Sequence, residues 1–306
     1  MDKLNLGYIE KIEELVGGVA HRVFCVKTTN ETLMIKQLSP KMLSKSHELE
    51  YHINSQEIAR TIANTGINSV LAIKDKNENA VFLINCNYYM VYKWLKFSNT
   101  NSVTENQCYQ IGTLLAKIHN NKKPFVFNGP VRHENYRCLS LKELKYCLTQ
   151  ENTIDYKKIF HLLFIQQKAF CCYSFLRGNL IISHCDLTPH NILWNNNEPL
   201  VIDWDAAGYI NKEKDIVQTL LSWCIINDTV DSLLVNNFFD GYTSINSFIN
   251  VKNLKNAYFS VLLENIEWIQ TLTERKASVV DGIGELFNGF HHSKTDIETI
   301  IRYFNH

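Results

Sequence analysis

The chain has 306 residues, with 31 Lys and Arg balancing 31 Asp and Glu, and a hydrophobic fraction of 45%. This composition excludes a disordered chain and shows no basic excess of the kind that nucleic-acid-binding proteins carry. Because no apolar stretch reaches the roughly 18–20 residues of a membrane span and no signal-peptide pattern is present, we expect a cytoplasmic protein with neither nucleic-acid nor membrane partners.

The N-terminal part of the chain predicts a small antiparallel sheet with a helix packed on it. Alternating apolar residues over 21–27 and 32–38 flank a polar turn, which is the pattern of a β-hairpin. Residues 54–65 carry apolar positions at helical spacing. Two further apolar runs, 80–85 and 88–95, predict a second pair of strands.

The polar stretch 98–102 is the best candidate for a boundary within the chain. The chain is longer than one hydrophobic core commonly supports, so we predict two lobes, residues 1–95 and 96–306. After the boundary the apolar period becomes helical, and one strand–loop–strand segment, 180–205, lies between the helices. The predicted helices cover 110–119, 156–176, 214–226, 253–272 and 294–304.

Segment 180–205 places polar residues where two apolar strands end. Asp186 and Asn191 are five residues apart across a tight loop, and Asp203 follows a short apolar run. Oxygen atoms from such residues form a site for a hard cation, and Mg²⁺ typically combines a few protein ligands with waters and phosphates. Asp186 would then orient or deprotonate an attacking hydroxyl group. This pattern predicts phosphoryl transfer, which needs a positioned nucleophile, metal ions and a lysine on the phosphates.

The pattern His184-x-Asp186-x-x-x-x-Asn191 with the later Asp203 resembles the aminoglycoside phosphotransferase and choline kinase superfamily, a branch of the protein-kinase-like fold. The resemblance implies an α+β, bilobal fold, with a small antiparallel sheet lobe that carries a helix and a larger, mainly α-helical lobe. The first lobe would bind the nucleotide, and the second would carry the catalytic loop and bind the acceptor. The implied activity is transfer of the γ-phosphate of ATP or GTP, with Mg²⁺, to a hydroxyl group of a small molecule.

The resemblance also implies roles for individual residues. Asp186 would be the catalytic base or hydroxyl-orienting residue, and Asn191 and Asp203 would hold Mg²⁺. Lys36, in the middle of a predicted strand, would contact the α- and β-phosphates. His184 would brace the catalytic loop through hydrogen bonds.

Candidate nucleotide-binding residues follow from the same resemblance. Gly17 and Gly18 resemble the loop that covers the phosphates, although the full G-x-G-x-x-G pattern is lacking. Residues 88–97 resemble the strand and hinge on which adenine lies. The remaining candidates line the purine pocket or lie at its edge: Ile35, Met90, Lys93, Leu95, Leu193 and Ile202.

The family places an acidic residue on the helix of this lobe to hold the lysine. Glu57 lies on the predicted helix and is the preferred partner of Lys36. Glu48 and Glu50 lie nearer to the expected spacing from the lysine, so the sequence leaves this choice open.

The charge of the C-terminal part bears on the acceptor. Residues 200–306 contain 14 Asp and Glu against 8 Lys and Arg, a balance of −6. An acidic lobe suits a cationic acceptor by electrostatic complementarity, although a solvated acidic face gives the same count. The candidates for contact with the acceptor are Asp205 and three residues on one face of a predicted helix, Glu264, Glu267 and Trp268.

Three functions remain open on these grounds. A kinase for an aminoglycoside-type antibiotic is favoured, because such acceptors are polycations and because Asp-Trp-Asp at 203–205 departs from the Asp-Trp-Glu common in choline kinases. A metabolic kinase for choline, ethanolamine, thiamine, methylthioribose or homoserine is the second. The third is a catalytically silent nucleotide-binding module, against which the presence of all four catalytic residue types argues. The sequence leaves the oligomeric state open.

Overall fold

The computed structural model describes residues 6–15, 21–95, 102–133, 163–168, 176–195, 197–245, 248–274 and 294–305, together with positions 140, 142, 171 and 292. Within 263–274, only the side chain of Glu264 is described. None of the helices in these ranges is long and apolar enough to cross a membrane.

The chain forms two compact units by its internal packing. The sheet unit comprises Met1–Asn101, Asn121–Arg132 and His184–Gly208, and the helical unit comprises Ser102–Asn120, His133–Ser183 and Tyr209–His306. The segment that carries Asp186, Asn191 and Asp203 thus packs with the N-terminal sheet. The functional division into residues 1–95 and 96–306 stays a prediction.

The sheet unit contains a five-stranded antiparallel sheet in the order β1-β2-β3-β5-β4. Its strands are β1 (Ile9–Leu15), β2 (Arg22–Thr28), β3 (Thr32–Gln37), β4 (Phe82–Ile84) and β5 (Asn87–Lys93). The predicted hairpin is confirmed as β2 and β3, and the second predicted pair as β4 and β5. The sequence pattern did not indicate β1, because this edge strand is almost wholly exposed and its Ile and Leu do not alternate.

Apolar residues on opposite faces of β5 fill two separate cores, as the two-residue period of a strand requires. Met90 and Tyr92 pack with Leu38, Ala72 and Ala80. Val91 packs with Leu6 and Leu33. The sheet is therefore buried on both faces around its central strands.

Two helices follow β3, a short α1 (Pro40–Leu43) and the longer α2 (Glu48–Ala63). Helix α2 begins six residues before the predicted start at residue 54. Its first turns bury polar residues, Glu48 and His52. A search for apolar positions at helical spacing does not detect such turns.

The segment His184–Gly208, which the resemblance predicts to hold the catalytic loop, adds a second hairpin to the sheet unit. It consists of β7 (Ile192–Asn195) and β8 (Glu198–Val201), with single 3₁₀ turns at Pro189–Asn191 and Trp204–Ala206. Backbone hydrogen bonds from Val70 N to Val201 O, 2.8 Å, and from Val201 N to Asn68 O, 3.0 Å, tie β8 to the N-terminal part of the chain.

The helical unit begins with α3 (Glu105–His119), which starts earlier than predicted because Thr104 and Gln107 form a capping box. Strands β6 (Leu180–Ser183) and β9 (Gly208–Asn211) pair, and β10 (Ile225–Ile226) pairs with β11 (Thr229–Val230). The remaining elements are α4 (Lys212–Trp223), α5 (Ser232–Thr243), α6 (Val251–Glu274) and α7, residues 294–302.

The sequence predicted most of these helices but missed one. Helices α3, α4, α6 and α7 confirm four predicted helices, and of the predicted helix 156–176 the described stretch 163–168 is helical. Helix α5 was not predicted, although Asp231 caps it by accepting hydrogen bonds from the backbone of Leu233 and Leu234. Helices α3 and α5 approach closely, because glycine occupies the crossing on each side, at Gly112 and Gly241.

Replacement of Gly241 by alanine is expected to destabilise the protein. A Cβ atom there would lie 1.9 Å from the carbonyl oxygen of Tyr109. Alanine favours a helix by up to about 1 kcal/mol over glycine, whereas overpacking costs about 1–3 kcal/mol, so the clash should dominate. Thermal unfolding of Gly241→Ala, beside Asn236→Ala at an exposed position of α5, measures this. A Gly241→Ala variant as stable as the wild type would contradict the close approach.

Candidate active site

Lys36 lies at the centre of a polar site in the sheet unit. We use this term for Lys36 together with Asp186, Asn191, Asp203 and Asp205. It sits in β3 between Val23 of β2 and Met90 of β5, and its side chain is only 7% exposed. Its Nζ atom donates hydrogen bonds to Asp203 Oδ1, 2.8 Å away, and to Asp205 Oδ2, 2.9 Å away. Burial alone would lower the pKa of the Lys36 ammonium, but the charges of Asp205 and Asp203 raise it above its ordinary value. The lysine is therefore held in its charged form.

Asp203 is presented to the lysine by an unusual turn of the chain after β8. Its backbone has a φ of 56°, in the left-handed region. The following 3₁₀ turn is anchored by Trp204, which is buried and packs against the ring of His184 with 4.7 Å between ring centroids. This turn directs both Asp203 and Asp205 toward Lys36.

His184 links the catalytic loop to the chain just before Asp203. Its Nδ1 atom accepts from the backbone N–H of Asp186, 3.3 Å away, so the proton lies on Nε2. Nε2 then donates to the carbonyl oxygen of Ile202, 2.9 Å away. These two bonds are what the predicted bracing role requires.

Asn191 is hydrogen-bonded to Asp186 within the catalytic loop. Its Nδ2 atom donates to the backbone oxygen and to Oδ2 of Asp186, both at 2.8 Å. Its own backbone oxygen accepts from the N–H of Ile202, 3.0 Å away. Asp186, Asn191 and the strand end that carries Asp203 are therefore connected by hydrogen bonds within one unit.

Asn191 and Asp203 offer oxygen atoms that fit a divalent cation. Because the amide nitrogen of Asn191 donates to Asp186, its side-chain oxygen is left to accept or to ligate. One carboxylate oxygen of Asp203 accepts from Lys36, and the other has no hydrogen-bond partner in the described part of the chain. The Asp203 side chain is 46% exposed, which leaves room for water and phosphate ligands. Such hard oxygen donors suit Mg²⁺.

Asp205 stands in a cluster with two buried histidines that sequence reasoning missed. His21 Nε2 lies 3.4 Å from Asp205 Oδ2, and His52 Nδ1 lies 3.8 Å from Oδ1. Burial would raise the pKa of Asp205, but Lys36 and the contacts with His21 and His52 hold it well below its usual range. The one signal in the sequence is that Glu48, His52 and Gln56 repeat every four residues along one helix face.

The structure does not place Glu57 beside Lys36. Glu57 pairs with Lys74 at 2.9 Å, and Glu48 pairs with Arg132 at 2.8 Å. Among the described residues, no hydrogen bond or ion pair joins Lys36 to Glu57, Glu48 or Glu50. The reason is helix geometry: Glu57 follows the buried Gln56, and each residue of a helix turns the next side chain by about 100°.

The predicted nucleotide-binding residues are spread over the sheet unit, and their contacts with nucleotide stay a prediction. Ile35 and Met90 lie on neighbouring strands, with Met90 fully buried. Lys93 ends β5, and Leu95 is 38% exposed. Leu193 in β7 and Ile202 after β8 are half-buried, and Gly17 and Gly18 lie outside the described residues.

The predicted acceptor face on α6 is described at one side chain only. Glu264 forms an ion pair with Lys214, whose Nζ lies 2.8 Å from Glu264 Oε1 and which is fully buried. The side chains of Glu267 and Trp268 lie outside the described residues. Contact of these residues, and of Asp205, with an acceptor stays a prediction, but Glu264 already has a structural partner.

Glu264→Gln is therefore expected to affect stability rather than acceptor binding. The change removes a carboxylate from a buried lysine, and a hydrogen bond to a charged group is worth about 1.5–3 kcal/mol. Partial exposure of Glu264 places the expected loss at the lower end of that range. Chemical denaturation of Glu264→Gln, with the exposed Glu298→Gln as control, measures the loss. Unchanged stability with weaker acceptor binding would instead support the acceptor role.

A family model described as the Phosphotransferase enzyme family matches residues 11–246, a stretch that includes Lys36, Asp186, Asn191 and Asp203. No match was found among curated proteins.

Solved structures with the same fold have low sequence identity to this chain. The amicoumacin kinase hAmiN, in complex with AMP-PNP, Ca²⁺ and Ami, has a TM-score of 0.71 at 16% identity, covering 97% of this chain and 93% of its own. The spectinomycin phosphotransferase APH(9)-Ia, in complex with ADP and spectinomycin, has a TM-score of 0.67 at 15% identity, covering 100% of this chain and 97% of its own. A microcompartment-associated aminopropanol kinase has a TM-score of 0.73 at 12% identity, covering 99% of this chain and 97% of its own. These likenesses confirm the predicted α+β, protein-kinase-like fold.

Proposed function

Because the chain belongs to the phosphotransferase enzyme family and is a small-molecule kinase, we propose that it transfers the γ-phosphate of ATP or GTP to a hydroxyl group of a small cationic molecule. The observation that carries this proposal is the ion pair between Lys36 and Asp203, joined to the Asp186–Asn191 loop within one compact unit. Cytoplasmic location is part of the same proposal.

The polar site has the parts that phosphoryl transfer requires. The charged Lys36 would hold the phosphates, and Asn191 and Asp203 would hold Mg²⁺. When bound, Mg²⁺ supplies positive charge that neutralises the phosphate oxygens. That the related amicoumacin kinase was solved with AMP-PNP and Ca²⁺, and the spectinomycin phosphotransferase with ADP, supports a nucleotide and a divalent cation.

Asp186 would act on the acceptor hydroxyl. Asn191 donates to Oδ2 of Asp186, and His184 accepts from its backbone N–H, so the side chain and the loop are held from two directions. A carboxylate fixed in this way orients the hydroxyl and accepts its proton as the bond to phosphorus forms. This use of Asp186 explains why the loop is tied so closely to the strand end that carries Asp203.

An aminoglycoside-type antibiotic is the acceptor class that we favour. The acidic balance of residues 200–306 suits a polycation, and two of the similar structures are kinases of antibiotics by their names. The similar aminopropanol kinase favours a second candidate, a metabolic amino alcohol. A catalytically silent module is disfavoured, because Lys36 is bonded to Asp203, Asn191 is bonded to Asp186, and the backbone of Ile202, next to Asp203, is bonded to Asn191.

Turnover of Mg·ATP and Mg·GTP by the purified protein tests the function directly. The acceptor panel should contain aminoglycosides, spectinomycin, choline, ethanolamine, aminopropanol, thiamine, methylthioribose and homoserine. Turnover with a polycationic antibiotic supports the favoured class, and turnover confined to a metabolite moves the enzyme to metabolism. Nucleotide binding without turnover of any acceptor would favour the silent module.

Asp186→Asn is expected to lower kcat severely while leaving nucleotide binding nearly intact, since the amide keeps the shape of the side chain but cannot accept the proton. General base catalysis contributes about 10²–10⁴-fold, so kcat should fall by that factor. The matched control is Asp228→Asn, at an exposed turn of the helical unit. Near-native kcat in Asp186→Asn would show that another group deprotonates or orients the acceptor.

A further inference from the structure

The buried lysine of a protein-kinase-like site is commonly held by a glutamate on the neighbouring helix. Here two glutamates of α2 are engaged elsewhere, Glu57 by Lys74 and Glu48 by Arg132, and the third, Glu50, forms no hydrogen bond or ion pair with Lys36. Lys36 instead contacts two carboxylates that follow β8, Asp203 and Asp205. One of these must replace the helix glutamate.

Asp203 is poorly suited to hold the lysine throughout a reaction cycle, because the proposed function uses its carboxylate for the cation. Asp205 is suited to it: its side chain is 19% exposed against 46% for Asp203, and its Oδ2 atom lies 2.9 Å from Lys36 Nζ. We propose that Asp205 is the carboxylate that anchors Lys36, and that His21 and His52 position Asp205. This proposal rests on the proposed function and assigns Asp205 to the lysine instead of the acceptor.

His21 is oriented to donate to Asp205. Its Nδ1 atom accepts from the backbone N–H of Ser39, 3.1 Å away, so its proton lies on Nε2. Nε2 is the atom that faces Asp205 Oδ2 at 3.4 Å. Because His21 immediately precedes β2, the neighbour of β3, this contact ties Asp205 to the same sheet that carries Lys36.

His52 supplies the second contact from α2. It is 2% exposed, and neither ring nitrogen has a hydrogen-bond partner among the described residues. Asp205 Oδ1 also lacks one, and it lies 3.8 Å from His52 Nδ1. An unmatched buried donor and an unmatched buried acceptor are each costly, and closing the gap by less than about 1 Å would satisfy both. His52 thus reaches Asp205 from the helix that would carry the glutamate partner of the lysine in a protein-kinase-like site.

The same three side chains have spacing that would allow a metal ion, since their ligand atoms lie within 4.8 Å of one another. Two contacts favour hydrogen bonding instead. His21 Nε2 carries the ring proton while Nδ1 accepts from Ser39, so it has no lone pair for a metal. Oδ2 of Asp205 is already taken by the ammonium of Lys36. The cluster is therefore a chain of contacts from His21 and His52 through Asp205 to Lys36. We call this chain of contacts the relay.

The function of such a relay is to fix the lysine before nucleotide binds. Charged donors placed in advance where phosphate charge will lie stabilise the transition state without reorganisation. Loss of Asp205 would leave Lys36 held by Asp203 alone, and that carboxylate would then be divided between lysine and cation. Asp205, His21 and His52 are positioning residues in this scheme, because they act on phosphate only through Lys36.

A double-mutant cycle tests the proposal. Affinity for Mg·AMP-PNP is measured by calorimetry for wild type, Asp205→Asn, Lys36→Met and the double variant, with thermal unfolding recorded for each. Asp205→Asn should weaken binding about 10–100-fold, the range seen when a supporting contact of a functional group is lost. In the Lys36→Met background the same change should cost less than about 2-fold, because a residue that acts through Lys36 has nothing left to position. Equal losses in both backgrounds, or no loss in the wild-type background, would overturn the proposal.

Variants of His52 keep the test decisive if the Asp205 variants fold poorly. His52→Asn retains a donor near the position of Nδ1, whereas His52→Leu retains bulk without a donor. We expect His52→Asn to remain within about 3-fold of wild-type affinity for Mg·AMP-PNP and His52→Leu to lose about 10-fold or more. His47→Asn, at the exposed start of α2, is the matched control. Similar affinities for the Asn and Leu variants would remove His52 from the relay.

The outcomes separate this proposal from the proposed function. A wild-type protein that binds neither Mg·AMP-PNP nor Mg·GMP-PNP would overturn both. A wild-type protein that binds one of these nucleotides, with Asp205→Asn equal to wild type, would overturn the anchoring role of Asp205 alone.

Discussion

The structure of the sheet unit depends on a buried positive charge. A lysine ammonium removed from water is strongly unfavourable unless it is paired, and Lys36 is only 7% exposed. The chain therefore has to deliver carboxylates to the middle of a sheet from a segment more than 160 residues away in sequence. The turn after β8 does this with Asp203 and Asp205, and a buried Trp204 keeps that turn in place.

Hydrogen bonds that involve the backbone connect the rest of the site to the same turn. Val201 is bonded to residues 68–70, Ile202 to Asn191, and His184 to both Ile202 and Asp186. These bonds connect the end of β8, which leads to Asp203, with residues 68–70 and with the loop that carries Asp186 and Asn191. The loop with Asp186 and Asn191, the turn with Asp203 and the lysine are therefore linked within one unit, an arrangement that the proposed alignment of phosphate and acceptor requires.

Spacing in the sequence singled out Lys36, Asp186, Asn191 and Asp203; the structure places them in one unit, and their roles stay a prediction. Spacing was sufficient for strands and helices whose apolar residues repeat regularly. The predictions missed α5, the first turns of α2 and the partner of Lys36. Helix α5 does bury apolar residues at helical spacing, Leu234, Val235 and Phe238 among them, so its pattern was present in the sequence and was overlooked. The first turns of α2 and the partner of Lys36 depend on buried polar residues, such as His52, and on helix rotation, which directs Glu57 to Lys74. Periodicity reports burial of apolar residues only, so these contacts emerge once the elements are packed.

The most direct test concerns Asp203, which the scheme assigns to the lysine and to the cation. AMP-PNP binding would be measured by calorimetry with and without Mg²⁺, for wild type and Asp203→Asn. Mg²⁺ should strengthen binding to the wild type, and Asp203→Asn should lose that dependence, since the amide keeps the shape but removes the charged ligand. An Asp203→Asn variant with the wild-type response to Mg²⁺ would contradict the assignment of Asp203 to the cation.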